Sequence, residues 1–177
     1  MWGKGLIMTI ASWKVLVPYD GSKESDRAFR KAIEFAKLIR KGGTNVEVDM
    51  LHVVHELVAP YRLFDRDLDI KSKVTGERLT ATQYMKEVYH EMKLNAKDIL
   101  DKKKNQEIND SDIIVKTHVT HGYPSDKILE FAEKHNVNLI SIGNVGRTGI
   151  SSIKTLALGS VSRNVSERAQ CPVMIVH

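Results

Sequence analysis

Apolar positions along the chain follow two rhythms that take turns. Lys14 to Pro18 (KVLVP) is a short apolar run rich in β-branched residues and closed by Asp20-Gly21-Ser22, a turn signal, so it predicts a strand. From Ser25 the period changes: Ala28, Phe29, Ala32, Ile33, Ala36 and Ile39 fall three or four apart, which predicts one helix face. Lys37, Arg40 and Lys41 load its last turn with positive charge and Gly42-Gly43 ends it. Val46 to Val54 (VEVDMLHVV) predicts a second strand, nearly continuous in its apolar second half, as strands buried on both faces are.

The alternation continues. A helix is expected over about Thr80 to Lys104, with Met85, Val88, Met92, Ala96 and Ile99 as its core stripe, before a polar break at Asn105 to Ser111. Ile113 to Val119 predicts strand three. After it Gly122 and Pro124 turn the chain and Ser125 is a candidate N-cap for a helix carrying Ile128, Leu129, Phe131 and Ala132. Val137 to Ile142 predicts strand four, Ser160 to Ala169 the last helix, and Cys171 to Val176 strand five, with Pro172 at its start, where a strand tolerates proline. The order βαβαβαβαβ predicts an α/β fold: a single, open, doubly wound five-stranded parallel sheet with helices on both faces and right-handed crossovers. Residues 1–13 are expected to be an N-terminal extension to one domain over 14–177. Residues 56–79 are expected to be an irregular, insertion-like loop that could cover a site.

Composition narrows the function. Of 177 residues, 42% are hydrophobic and 28% charged, which suits a globular chain of one-domain size. No run of eighteen apolar residues occurs, so no membrane span is expected. The single cysteine, Cys171, cannot form an internal disulfide. It is expected to be structural, and a cytoplasmic location follows. The net charge of +5 suits an anionic ligand, but Lys and Arg are spread along the chain, so a nucleic-acid partner is not expected. Neither a P-loop nor a nucleophile elbow is present. Asp65, Asp67 and Asp69 alternate like a calcium loop, yet Ile70 stands where the EF-hand needs glycine. His52, His55, His118 and His121 end strands two and three, and core or rim packing is the expected role of each.

In an open parallel sheet ligands bind beyond the carboxyl ends of the strands. Two segments follow strands there: Pro18-Tyr19-Asp20-Gly21-Ser22, and Gly143 to Gly149, ten residues after which stand Gly159 and Ser160 at the mouth of a helix. Glycines admit an anion close to backbone N–H groups, and the first N–H groups of a helix have no internal partner. Arg147 and Lys154 could add charge. The region therefore reads as a phosphate cradle, with a loop capping the strand as the structural alternative.

These segments resemble the universal stress protein family, over nearly the whole chain from Lys14 to Val176. The family's K-x-L-V-P-x-D-G-S opening appears at Lys14 to Ser22, and its G-S-V, helix, C-P-V ending at Gly159 to Val161 and Cys171 to Val176. Its nucleotide-binding branch carries G-x2-G-x9-G-[ST], which Gly146, Gly149, Gly159 and Ser160 match. Gly143 and Gly146 also read G-x2-G, so two registers stay open: a motif that begins three residues late, or a three-residue insertion. The resemblance implies that Pro18, Tyr19 and Asp20 lie against ribose and adenine, that Val53 meets adenine through its backbone, and that Ile142 floors the base. It implies that Gly143, Val145, Gly146, Gly159, Ser160, Val161 and Ser162 surround phosphates and ribose. For Asp20 the structural alternative is an Asx-type turn. The implied ligand is ATP or another adenine nucleotide, which could carry Mg²⁺ or Mn²⁺; no protein metal site and no catalytic residue is expected. The resemblance also implies a homodimer through the last strand, Val173 to Val176. A binding and signalling module is the leading expectation. A slow ATPase, or autophosphorylation on Ser160 or Ser162, and a partner-binding dimer without nucleotide are the alternatives.

Overall fold

A computed structural model describes residues 12–55, 71–72, 75–107, 113–146 and 158–177. Among the described residues five strands and four helices alternate: β1 (Trp13–Pro18), α1 (Lys23–Lys41), β2 (Val46–Val54), α2 (Ala81–Glu107), β3 (Ile114–His121), α3 (Pro124–Lys134), β4 (Leu139–Gly143), α4 (Ser160–Arg168) and β5 (Val173–Val176). All pairings are parallel, in the order β3-β2-β1-β4-β5. This is the expected doubly wound sheet. Its order reverses between β1 and β4, the place where such sheets open a crevice. Among the described residues no helix is long and apolar enough to cross a membrane. Of the 56–79 stretch, the described part holds an isolated antiparallel bridge between Lys71 and Arg78. Asp65, Asp67, Asp69 and Ile70 lie outside the described residues.

Strand alternation splits the core in two. Val15 and Val17 of β1, with Val48 and Met50 of β2, pack against Ala28, Phe29 and Ala32 of α1 and Leu100 of α2. Leu16, Leu51, Ile140 and Ile142 point the other way, onto Ile128 and Ala132 of α3 and Val165 of α4. β3 departs from a doubly covered strand. On its α3 side Lys116 pairs with Glu47 at 2.7 Å and His118 Nε2 with Asp49 Oδ1 at 2.7 Å, a polar ladder shared with β2. Asp49 is 2% exposed, so the imidazole is what compensates its carboxylate. His118 is thus a structural histidine, packed edge-on against Phe131.

Helix ends differ from expectation in two places. Ser22 caps α1, its hydroxyl oxygen accepting from the Ser25 N–H at 3.0 Å. For α3 the cap is Tyr123, not Ser125: Pro124 takes the first helical position, where its missing N–H costs nothing, and Ser125 falls inside the helix. Helix α2 runs on to Glu107, into the expected polar break, because Lys103 and Glu107 bond across one turn.

That bond belongs to a network that seats α2. Lys103, 8% exposed, lies 2.9 Å from both Asp26 Oδ1 of α1 and Glu107 Oε1. The Tyr19 hydroxyl donates to Asp26 at 2.6 Å, and burial, then Asp26, pushes that hydroxyl's pKa far up. Burial would raise the pKa of Asp26, yet the bonds from Tyr19 and Lys103 hold it below its ordinary 3.8. Lys103 likewise holds Glu107 below 4.5. Groups with depressed native pKa stabilise the fold fully above their unfolded values and lose that contribution as the pH falls through the carboxylate range. Lys103→Met should cost about 1–3 kcal/mol at pH 7. Urea melts at pH 7 and pH 4 check this: the wild type should lose stability between them, and the variant should lose less.

Candidate functional site

β1 is shorter than its neighbour at the carboxyl end, and that mismatch opens the site. Pro18 is level with Leu51, and the Tyr19 N–H donates to the Leu51 carbonyl at 2.9 Å. There β1 turns off at Asp20 and Gly21, whose φ of +80° suits glycine, while β2 continues to Val54. Peptide groups alternate sides along a strand. Leu51 faces β1 and the Val54 carbonyl takes the Gly122 N–H on the β3 side. The N–H and C=O of Val53 therefore face the side that β1 has left.

The resulting cavity measures about 740 Å³, within the usual size for small-molecule sites, about 300–1,000 Å³. Pro18, Tyr19, Asp20, Val53, Ile142, Gly143, Val145, Gly146, Gly159, Ser160, Val161 and Ser162 all line it. Gly149, Arg147 and Lys154 lie outside the described residues. The fold thus gathers segments 18–20, 53, 142–146 and 159–162 around one space. It also brings in a wall that sequence reasoning assigned to the core. Met92, Asn95, Ala96 and Ile99 of α2 line the cavity, at the i, i+3, i+4, i+7 spacing of one helix face. The buried anchor of α2 is Leu100, one residue beyond the expected stripe. A periodic stripe shows which face is apolar, not whether it meets a sheet or an open space. His52 and His55 also stand on the wall, at the end of β2.

Asp20 does two things. Its Oδ1 accepts the Ser22 N–H at 3.0 Å, so the Asx-type turn is present. Its other oxygen lies beside Gly146, where an added Cβ would come within 2.9 Å. The loops after β1 and β4 thereby meet across the crevice. A carboxylate has about four lone-pair positions, so a turn contact leaves capacity for a ligand.

The remaining glycines hold backbone to backbone. A Cβ on Gly143 would sit 2.8 Å from Cβ and 2.9 Å from the carbonyl carbon of Glu24, so this glycine admits α1 against the end of β4. A Cβ on Gly159 would approach Val145 Cα at 3.3 Å and the Asn144 oxygen at 3.4 Å. Gly159 is the N-cap of α4, and its N–H donates to the Asn144 carbonyl at 2.7 Å. A larger residue there would push on the strand-to-loop corner rather than fill the anion's space directly. Ser162, 2% exposed, places its hydroxyl 2.7 Å from the same carbonyl. Ser160, exposed, opens α4 at the cavity, with no side-chain cap on the helix.

A glycine-built corner, a helix N-terminus beside it and a carboxylate across the gap match a known sequence pattern. The profile of the Universal stress protein family covers residues 13–177. The chain belongs to that family. Among its relatives is universal stress protein YxiE of Bacillus subtilis, 32% identical over 163 residues, which are 92% of this chain and 97% of that protein. Universal stress protein MJ0577 of Methanocaldococcus jannaschii is 28% identical over 170 residues, 96% of this chain and 97% of that protein. The solved structure of MJ0577 superposes with a TM-score of 0.69 at 26% identity, covering 93% of this chain and 94% of that one. The universal stress protein of Archaeoglobus fulgidus, solved in complex with dAMP, shares the fold at 20% identity and a TM-score of 0.52, over 95% and 99% of the two chains.

The universal stress protein fold depends here on the contact between Gly143 and Glu24, which has no flexible side-chain end to yield. Gly143→Ala should lower stability by about 1–3 kcal/mol, read as a drop in the thermal midpoint. An unchanged midpoint would mean that α1 can shift away from β4 at no cost.

Proposed function

We propose that this chain holds ATP, or a close adenine nucleotide, as a stress-response binding and signalling module in the cytoplasm. The observation that carries the reading is the cavity at the β1/β4 switch point, with the uncapped start of α4 at one end and the outward peptide edge of Val53 at the other. The first N–H groups of α4 lack helical partners and favour phosphate oxygens, with Gly146, Gly159 and Ser160 beside them. Asp20 accepts from ribose hydroxyls. Pro18, Val53 and Ile142 flank the base, and the Val53 peptide offers it one donor and one acceptor. The Archaeoglobus fulgidus relative's dAMP agrees in ligand class, and the choice of base here rests on this chain's own cavity.

Among the described residues no group of three or more His, Cys, Asp and Glu side chains is placed to hold a metal, and Asp20 is the one carboxylate on the described wall. An Mg²⁺ or Mn²⁺ would arrive on the phosphates and be held mainly by them and by water. The same scarcity of carboxylates argues against efficient hydrolysis, which needs a base near the phosphates. For autophosphorylation Ser160 is the accessible hydroxyl. Ser162 is buried and bonded to the Asn144 carbonyl.

The purified protein, denatured without added nucleotide and run on anion exchange with mass detection, should release ATP or a close relative. Asp20→Asn keeps the acceptor for the Ser22 N–H and removes the charge. It should weaken ATP binding about tenfold in calorimetry while the thermal midpoint holds. An empty wild-type protein that also gives no thermal shift with ATP would favour the partner-binding alternative.

The homodimer forms, in this reading, by pairing β5 with a second β5. The strand ends the sheet and its four side chains are half-buried. Pro172 and Val176 turn their carbonyls to β4, bonding Ile140 and Asn144, so the peptide groups of Val173 and Ile175 face outward. Unpaired edges of this kind invite a partner strand. Ile175→Pro removes one outward N–H without touching the β4 ladder. Sedimentation should then show a monomer with native circular dichroism. A persistent dimer would place the interface elsewhere.

A further inference from the structure

Most polar side chains on the cavity wall are already held by the protein. The Tyr19 hydroxyl donates to Asp26, the Ser22 oxygen accepts from Ser25, the Ser25 hydroxyl donates to the Ser22 carbonyl, and the Ser162 hydroxyl lies against the Asn144 carbonyl. Asn95 is different. It stands on the wall among Met92, Ala96 and Ile99, and its carboxamide makes no hydrogen bond to the described residues. An uncommitted amide can give its donor and its acceptor together to a ligand that covers it.

Its place in the cavity says what it would meet. Ile99 is level with Gly21 at the exit of β1, where its Cγ2 would lie 3.8 Å from an added Cβ. Farther toward the helix start, the Tyr89 ring reaches His121 at the end of β3, with centroids 6.2 Å apart. Asn95 lies between these two levels along α2 and lines the same cavity as Val53. The start of α4, where phosphates are favoured, comes from the other side of β1. Asn95 and the Val53 peptide, which the nucleotide reading gives to the base, thus border one cavity.

Resting on the nucleotide reading above, we propose that Asn95 reads the N7/N6 edge of adenine and selects it against guanine. A primary amide offers an N–H donor and a C=O acceptor side by side. Adenine presents the complement, the N7 acceptor next to the N6 amino donor, and asparagine is the side chain that pairs with it in two bonds. Guanine presents two acceptors, N7 and O6, so the amide carbonyl would face O6 with no proton between them. Asn95 is a specificity residue in this account, not a catalytic one. Its exposed position on α2 means that a change there leaves the core intact.

The test compares ATP, 7-deaza-ATP and GTP by calorimetry on the wild type and on Asn95→Leu, which removes the amide at similar size. 7-Deaza-ATP replaces N7 by carbon and keeps every other group. The wild type should bind ATP roughly tenfold tighter than either analogue. Asn95→Leu should bring ATP down to the level of 7-deaza-ATP, with the thermal midpoint unchanged. An ATP to 7-deaza-ATP ratio that is the same in both proteins overturns the inference. So does equal weakening of all three ligands, which would mark a contact to ribose or phosphate. A wild type that binds ATP but ignores N7 defeats this inference alone, whereas a wild type that binds no nucleotide defeats the nucleotide reading and this one with it.

Discussion

The peptide of Asn144 holds the cavity end of the molecule together. Its N–H donates to the Val176 carbonyl at 2.9 Å, tying the exit of β4 to β5. The carbonyl of the same residue receives the Gly159 N–H and the Ser162 hydroxyl, both at 2.7 Å. The chain that leaves β4 at Asn144 thus returns to Asn144 before it enters α4. Each bond contributes about 1 kcal/mol net, but their geometry matters more than their sum. They bring the first turn of α4 beside the carboxyl end of β4, and a Cβ at Gly159 would press on that corner, 3.3 Å from Val145 Cα. The N-terminal end of α4 is placed at the switch point by bonds to a single main-chain peptide, two between backbone N–H groups and carbonyls and one from the Ser162 hydroxyl.

A second constraint supplies the opposite wall. α2 has 27 residues and spans about 40 Å at 1.5 Å per residue, while the nine residues of β2 cover roughly 30 Å. Its buried side chains, Ala96, Leu100 and Lys103, all lie in its second half, and Ala81–Asn95 contains none. The helix is anchored by the Lys103, Asp26 and Glu107 network and projects past the carboxyl edge of the sheet. The cavity is therefore bounded by one element pinned through its backbone and another seated through buried charges. Tyr19, the residue after β1 on the cavity wall, bonds Asp26 in that network.

Much of this was legible in the sequence because each signal had a single physical reading. The β2 boundaries follow from the apolar run, and the start of α4 follows from Gly159-Ser160 after a long glycine loop. What stayed hidden depended on partners distant in sequence. His118 reads in the sequence only as a core or rim histidine of strand three, and its partner Asp49, 69 residues away, comes to it through the sheet order that places β3 at the edge beside β2. Met92 and Ile99 carry the period of a core stripe, and only the early end of β1 turns them into cavity wall. Tyr123 caps α3 because Pro124 follows it, a rule that local reading could have applied and that outranks the preference for serine.

The two registers of the glycine motif illustrate the same limit at the site itself. Gly143 follows β4 directly and so looks like the first phosphate glycine. Its missing side chain is already accounted for, because Glu24 of α1 occupies the space. The residue would have to be glycine whether or not an anion ever came near it. Gly146 is different: its missing Cβ answers to the Asp20 carboxylate, across the crevice. In the proposed nucleotide reading, a negative charge there would repel phosphate and accept from ribose hydroxyls, so the segment around Gly146 would border the sugar. Glycine spacing in this loop therefore records two demands at once, helix packing at its first position and close approach of two loops at its second. A motif counted from the first glycine mixes them.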